Sequence, residues 1–313
     1  SSKSYLGFLN DFTPPAAGTH PAGDITLRKR CGYGELTTPW MPTEATFSGT
    51  VKTAAMLDSG NGPQIFVGGD FNYTSQGTRA QIAHWTTNGW ADVGGGFDYE
   101  VQPIVNSLVA FDDGEGEALY AGGLFHSAGG ETANNLAKWD GVRWIEVGRG
   151  TNGKVDSIAA FDDGRGPALF IAGDFIAVQS TLDWTGFSYA IPADHLARWD
   201  GEQWSSVPAG PPPEFLAGTI RFVVGSDGSA QVLYVFSSSD GTIWKLSGQG
   251  WTSITSPALG GFEQVVVYDD GSGPNLYVSG DQIGIQKQVG AAWVEIRPYA
   301  PNGIAYPMVV FND

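Results

Sequence analysis

"LVAFDDGEGEALYAGGLF" (108–125) returns fifty residues later as "IAAFDDGRGPALFIAGDF" (158–175). Each copy is an apolar run, an Asp/Gly turn and a second apolar run, and Asp-Gly between such runs is the strongest short-range hairpin signal. Looser copies stand at 54–71 ("AAMLDSGNGPQIFVGGDF") and 265–282 ("VVVYDDGSGPNLYVSGDQ"), with a degraded one at 222–239 ("FVVGSDGSAQVLYVFSSS"). A second hairpin motif follows each: "IAHWTTNGWADV" (82–93), "LAKWDGVRWIEV" (136–147), "LARWDGEQWSSV" (196–207), "IWKLSGQGWTSI" (243–254) and "IQKQVGAAWVEI" (285–296). Each unit therefore reads as four strands, a–b–c–d. Four strands per repeat around an axis is the arithmetic of a β-propeller blade.

The turn glycines Gly60, Gly114, Gly164, Gly228 and Gly271 mark five units, at intervals of 54, 50, 64 and 43 residues. A sixth appears when the C-terminus is spliced onto the N-terminus. "VVFND" followed by "SSKSYLGFLNDF" aligns without a gap on "AAFDDGRGPALFIAGDF", matching Phe311 to Phe161, Asp313 to Asp163 and Leu6 to Leu169. "LRKRCGYGEL" (27–36) then falls on "LAKWDGVRWI". The expected fold is all-β: a six-bladed β-propeller of four-stranded antiparallel blades in one domain, residues 1–313. One blade is split between 1–50 and 304–313, and the others span about 51–103, 104–153, 154–215, 216–260 and 261–303. A strand at 306–311 is predicted to pair with one at 4–10, closing the sheet edge that an open ring would expose. The tryptophans of the second motif (Trp85, Trp90, Trp139, Trp144, Trp199, Trp204, Trp244, Trp251 and Trp293) are expected to fill the core between blades.

Composition supports many short strands and tight turns. Glycine supplies 45 of 313 residues, about twice the usual ~7%. Thirty-three acidic against 16 basic residues give a net charge of −17, a surface that repels phosphate backbones and anionic headgroups. Nucleic acid is thereby disfavoured as a partner. No run approaches the roughly 18 apolar residues of a membrane span, so no membrane insertion is expected. The lone Cys31 rules out an internal disulfide framework. The opening "SSKSYLGFLN" lacks the basic and long apolar regions of a signal peptide.

The stretch "ALYAGGLFHSAGGETANNLAKWDGVRWIEVG" (118–148) resembles a repeat of secreted and surface-attached bacterial proteins, written YxGGxFxxAGGxxxxxIAxWDGxxWxxLG. It is also similar to the ectodomain of fungal cortical markers and, more loosely, to kelch-type propellers. The likeness is close over 50–210; the fourth and fifth units lack the Trp-Asp-Gly residues, and Arg30 replaces the first Trp in the split unit. The resemblance implies an extracellular, cell-surface or periplasmic propeller, and brings no catalytic motif with it.

Three sets of residues are candidates for chemistry. The paired turn carboxylates Asp112-Asp113, Asp162-Asp163 and Asp269-Asp270 serve hairpin turns, where Asp bonds the local backbone, or alternatively gather calcium, which wants six to eight oxygens. Asp11, Asp70, Asp174 and Asp281 recur at the end of strand b, and a base recurs in strand c: Lys29, His84, Lys138, Arg198, Lys245 and Lys287. They are expected to form repeated ion pairs, with an anion-binding cationic ring as the competing reading. The insertion "IAVQSTLDWTGFSYAIPADH" (176–195) carries Trp184, Phe187 and Tyr189. These stack on a sugar ring, anchor a protein partner, or fold back on the rim. No HExxH, GxSxG or P-loop pattern occurs. The sequence thus reads as an extracellular binding or assembly module that recognises protein or glycan through rim loops. A carbohydrate-active enzyme with paired carboxylates is the alternative.

Overall fold

The computed structural model describes residues 4–8, 49–58, 62–71, 81–86, 89–99, 102–182, 188–207, 210–211, 218–237, 242–248, 250–255, 262–280, 283–298 and 308–312, with backbone alone at 4–8, 179–182, 188–189, 297 and 308–312. Every regular element among them is a strand.

Strand β1 (Ser4–Phe8) comes first. β2 (Val51–Asp58), β3 (Pro63–Gly69), β4 (Ile82–Thr86) and β5 (Gly89–Asp92) form an antiparallel meander in that order. After the short β6 (Phe97–Asp98) come β7 (Ile104–Asp112) and β8 (Glu117–Leu124), a miniature hairpin of β9 (Ser127–Ala128) and β10 (Glu131–Thr132), then β11 (Leu136–Trp139) and β12 (Trp144–Glu146). β7, β8, β11 and β12 make the second meander, while β9 pairs with both β10 and β6. The third repeats the plan: β13 (Val155–Asp162) and β14 (Pro167–Gly173), a two-stranded ribbon of β15 (Ala177–Leu182) and β16 (Ser188–Pro192), then β17 (Leu196–Trp199) and β18 (Trp204–Ser206). The fourth meander is β19 (Ile220–Ser226), β20 (Gln231–Ser237), β21 (Thr242–Ser247) and β22 (Gly250–Thr255). The fifth is β23 (Gln264–Asp269), β24 (Pro274–Gly280), β25 (Gly284–Val289) and β26 (Ala292–Arg297). β27 (Met308–Asn312) pairs antiparallel with β1, Tyr5 opposite Phe311 and Leu6 opposite Val310. The pairing expected of 306–311 with 4–10 is present over 308–312 with 4–8, and residues 9, 10, 306 and 307 lie outside the described ones.

The second strand of each meander explains the apolar pattern. β8, β14, β20 and β24 are buried on both faces along most of their length, so they read as near-continuous runs of Leu, Val, Tyr, Phe, Ala and Gly. The outer β26 is largely exposed, and β22 mixes exposed and half-buried residues. The turn between first and second strands needs a left-handed backbone twice, and glycine supplies it: Gly114 has φ 100° and Gly116 φ 110°.

The chain falls into two compact units. One comprises 15–155 with 177–190 and holds the first two meanders. Leu57, Phe66, Ile82, Val93, Phe97, Val105, Leu119, Phe125 and Trp144 pack as one cluster between them. Burying each such side chain contributes about 1.5–3 kcal/mol. Thr53 Oγ1 accepts the Leu108 amide at 3.0 Å, and the Trp144 indole N–H donates to the Val93 carbonyl at 3.0 Å.

The other unit comprises 1–14, 156–176 and 191–313. Phe161, Phe170, Ile220, Leu233 and Val235 join its third and fourth meanders; Phe236, Phe262, Leu276 and Val278 join the fourth and fifth. The same two links recur. Ser157 Oγ accepts the Phe222 amide at 3.0 Å, and Trp293 donates to the Thr255 carbonyl at 3.2 Å. Gly225 lies so close to Val267 that a Cβ there would sit 2.4 Å from its Cγ2. β1 and β27 lie against β23.

Candidate functional site

The first Asp of each Asp-Asp-Gly turn is absorbed by the turn itself. Asp112 Oδ1 accepts the amides of Gly114 and Gly116 at 2.9 and 3.0 Å; Asp162 and Asp269 do the same with Gly164/Gly166 and Gly271/Gly273. This is the local bonding that makes Asp a turn residue.

The second Asp does different work. Asp113 Oδ2 accepts the Tyr120 hydroxyl at 2.6 Å and the Lys138 ammonium, which also reaches Glu115 at 3.1 Å. Asp270 Oδ2 accepts Tyr277 at 2.9 Å together with Lys287. Asp227 accepts Lys245 at 2.7 Å. In the third meander Phe170 stands where the second, fourth and fifth have Tyr, and Arg198 replaces their Lys. Its Nε lies 3.5 Å from Asp163, while its Nη2 donates to the Gly166 carbonyl at 2.9 Å. Arg165 also clamps Asp163, at 2.6 and 2.9 Å.

Register explains the convergence. Lys138 is opposite Tyr120, Lys245 opposite Tyr234 and Lys287 opposite Tyr277, so base and phenol lie side by side; Tyr120 and Tyr277 reach the turn together with their lysines. The side chains of Lys138 and Asp113 are only 10% and 8% exposed. Burial works against ionised Asp113, but the hydrogen bonds from Lys138 and Tyr120 prevail and hold its carboxyl below the usual range. Burial likewise opposes the Lys138 charge, and its bonds to Asp113 and Glu115 more than offset this, raising the ammonium. Asp227 and Asp270 are held low chiefly by Lys245 and Lys287. Burial, then the neighbouring carboxylate, pushes the phenols up, to about 12 at Tyr234 and further at Tyr120 and Tyr277.

The expected partners of the strand-c bases are thus corrected. Lys138, Arg198, Lys245 and Lys287 do form a repeated set of ion pairs, but with Asp113, Asp163, Asp227 and Asp270 of the turns rather than with the Asp at the end of strand b. Asp70 accepts the Thr50 amide and lies 4.0 Å from Lys52. Asp174 sits beyond the far end of β14 from the turn that Arg198 reaches. Asp11, Asp281, Lys29 and Cys31 lie outside the described residues. Sequence reading missed the tyrosines. The signal for the turn pairing itself was present: Asp holds the second turn position wherever strand c carries Lys or Arg, and Ser59 holds it where strand c carries His84.

For calcium, the turn oxygens already serve donors of the protein. Among the described residues no three His, Cys, Asp or Glu side chains gather as a metal site.

Of the nine tryptophans expected in the core, Trp144, Trp199 and Trp204 are buried, and Trp85, Trp90, Trp139, Trp244, Trp251 and Trp293 are half-buried. Trp85 faces Trp90, Trp139 faces Trp144 and Trp199 faces Trp204 across strands c and d, with ring centroids 5.2, 5.3 and 5.0 Å apart.

The insertion in the third repeat is the β15–β16 ribbon. Its root docks as the β9–β10 hairpin does: Val178 bridges Thr151 as Ala128 pairs with Phe97. The Ala177 amide donates to Asn152 Oδ1 at 3.0 Å. Tyr189 lies on β16, whereas Trp184 and Phe187 fall outside the described residues.

No protein-family model matches the chain. No curated protein matches it either. Among solved structures it is similar to virginiamycin B lyase from Staphylococcus aureus. The selenomethionine-substituted form aligns with a TM-score of 0.43 and 10% identity, over 80% of this chain and 71% of that one. A catalytically inactive form with quinupristin gives 0.44 and 9%, over 82% and 74%. No residue role is carried across at this level of likeness.

Proposed function

We propose that the five meanders and the β1–β27 pair are the blades of a six-bladed β-propeller. In this reading it is an extracellular, surface or periplasmic module that recognises a protein or glycan through its rim, without catalysis. The observation that carries it is the β15–β16 ribbon. The second repeat joins β9 to β10 with only Gly129-Gly130, whereas the third extends the same docked connection into a ribbon of 16 residues, 177–192. Recognition elements are characteristically loops on a rigid scaffold. The recurring chemistry of the frame supports the same view: the turn carboxylates are engaged by amides, phenols, lysines and arginines, which suits a scaffold more than acid–base catalysis.

The test is a protein in which residues 179–190 are replaced by two glycines. Wild type is expected to bind on a glycan array or to self-associate in sedimentation, and the shortened protein to melt similarly while losing that interaction. Retention of binding by the shortened protein refutes the ribbon's role. Turnover of a glycan panel by wild type refutes the non-catalytic reading in favour of paired carboxylates.

A further inference from the structure

Five meanders carry a base at one register position, and the first differs from the rest in both partners of the pair. His84 is opposite Phe66, as Lys138 is opposite Tyr120 and Arg198 opposite Phe170. Ser59, itself outside the described residues, holds in sequence the turn position of Asp113, Asp163, Asp227 and Asp270. Where its sisters place a permanent cation against the second turn carboxylate, the first meander carries a titratable imidazole, and its sequence has Ser59 in place of that carboxylate.

The surroundings of His84 suit its neutral form. The ring is half-buried and meets Phe66 of β3 edge-on, 5.5 Å between centroids. From β5, Ala91 stands opposite it, and Asp92 is the charged group that bears on it. Asp92 Oδ2 accepts the Gly95 amide at 3.0 Å, while its Oδ1 is buried without a hydrogen-bond partner.

We propose that the first meander, β2–β5, is an acid-sensitive element of the fold, loosened by protonation of His84 under mildly acidic conditions that leave the other meanders closed. Burial lowers the His84 pKa, and Asp92 offsets this only in part. An opened meander binds the proton near the unperturbed value of about 6.5. Stability from the closed meander is therefore full above that pH and falls as pH drops below it. The Asp-paired meanders behave otherwise. Their carboxyls are held low, so their contribution persists until the pH falls below about 3.9, the ordinary aspartate value.

Amide hydrogen exchange, corrected for intrinsic rates, compares peptides from 63–92 and 104–146 at pH 7.5 and 5.5. Three proteins are measured: wild type, His84→Phe, and the double variant Ser59→Asp with His84→Lys. His126 is common to all three and cancels. In wild type, 63–92 is expected to lose protection on acidification relative to 104–146, each unit by which the fold depresses the pKa being worth about tenfold in the opening constant. Both variants should lose that difference. An equal acid response in wild type and His84→Phe overturns the proposal. Should His84→Phe not fold, an acid response persisting in the double variant overturns it, since that protein has the Asp–Lys pair of its sisters.

Discussion

Replacing Lys138 by Met keeps the stem that packs along β11 and removes the ammonium. Asp113, 8% exposed, is left with Tyr120 and the Glu115 amide as donors. Removing one partner of a buried pair typically costs about 3–5 kcal/mol, because the survivor is a buried uncompensated charge. Asp113 retains the Tyr120 hydroxyl at 2.6 Å, so the lower end applies, about 3 kcal/mol. Removing both charges, with Asp113→Asn and Lys138→Met together, should cost less than the sum of the singles. A double-mutant cycle in urea measures that coupling, expected at about 1.5–3 kcal/mol for a charge-assisted bond. The pH dependence follows from the direction of the shift. Asp113 is depressed in the native state, so the pair's stabilisation is present above the unfolded aspartate value near 3.9 and lost as pH falls through the lower native one. In Lys138→Met the acid-unfolding midpoint should therefore move to higher pH. A coupling below about 0.5 kcal/mol, the scale of an exposed pair, would falsify the claim that this cluster is a buried structural unit.

Lys245→Met breaks the same contact where both side chains are more than a fifth exposed, and is expected to cost about 1 kcal/mol or less by the same urea titration. Trp144→Phe leaves the Val93 carbonyl without its donor and shrinks a buried ring; chemical denaturation should show a loss of about 1–3 kcal/mol. Deleting 308–312 strips β1 of its partner and uncovers β23, and calorimetry should record a broad, less cooperative transition. Chelator is expected to leave the melting temperature unchanged, since Asp112, Asp162 and Asp269 already bond their turn amides; a fall in Tm would instead establish calcium.

The hairpins were legible because their determinants are local. Asp112 bonds amides two and four residues ahead, and Gly114 and Gly116 supply left-handed backbone, so the turn is written within five residues. Repetition extended that reading over long range. Aligning Leu6 with Leu169 puts Tyr5 at the position of Ala118, which pairs with Phe111, and so places Phe311 opposite Tyr5. A register copied from a sister unit needs no knowledge of the path between.

The ion pairs were only half legible. That a base recurs in strand c is plain from the sequence, but its partner depends on which end of the sheet the side chain follows. Lys138 stands opposite Tyr120, and both reach the turn before β8, leaving the Asp position beyond β8 at the other end. The hydroxyl links from Thr53 to Leu108 and from Ser157 to Phe222 were invisible for the same reason, since each joins neighbouring meanders across 55 and 65 residues. The amino-acid sequence alone determined the strands, their turns and the pairing of β1 with β27, all of which rest on local backbone chemistry and its repetition. Only the tertiary structure decided which carboxylate each buried cation meets, because that choice is made by the end of the sheet toward which the side chain runs, and side-chain direction is not a property of residue spacing.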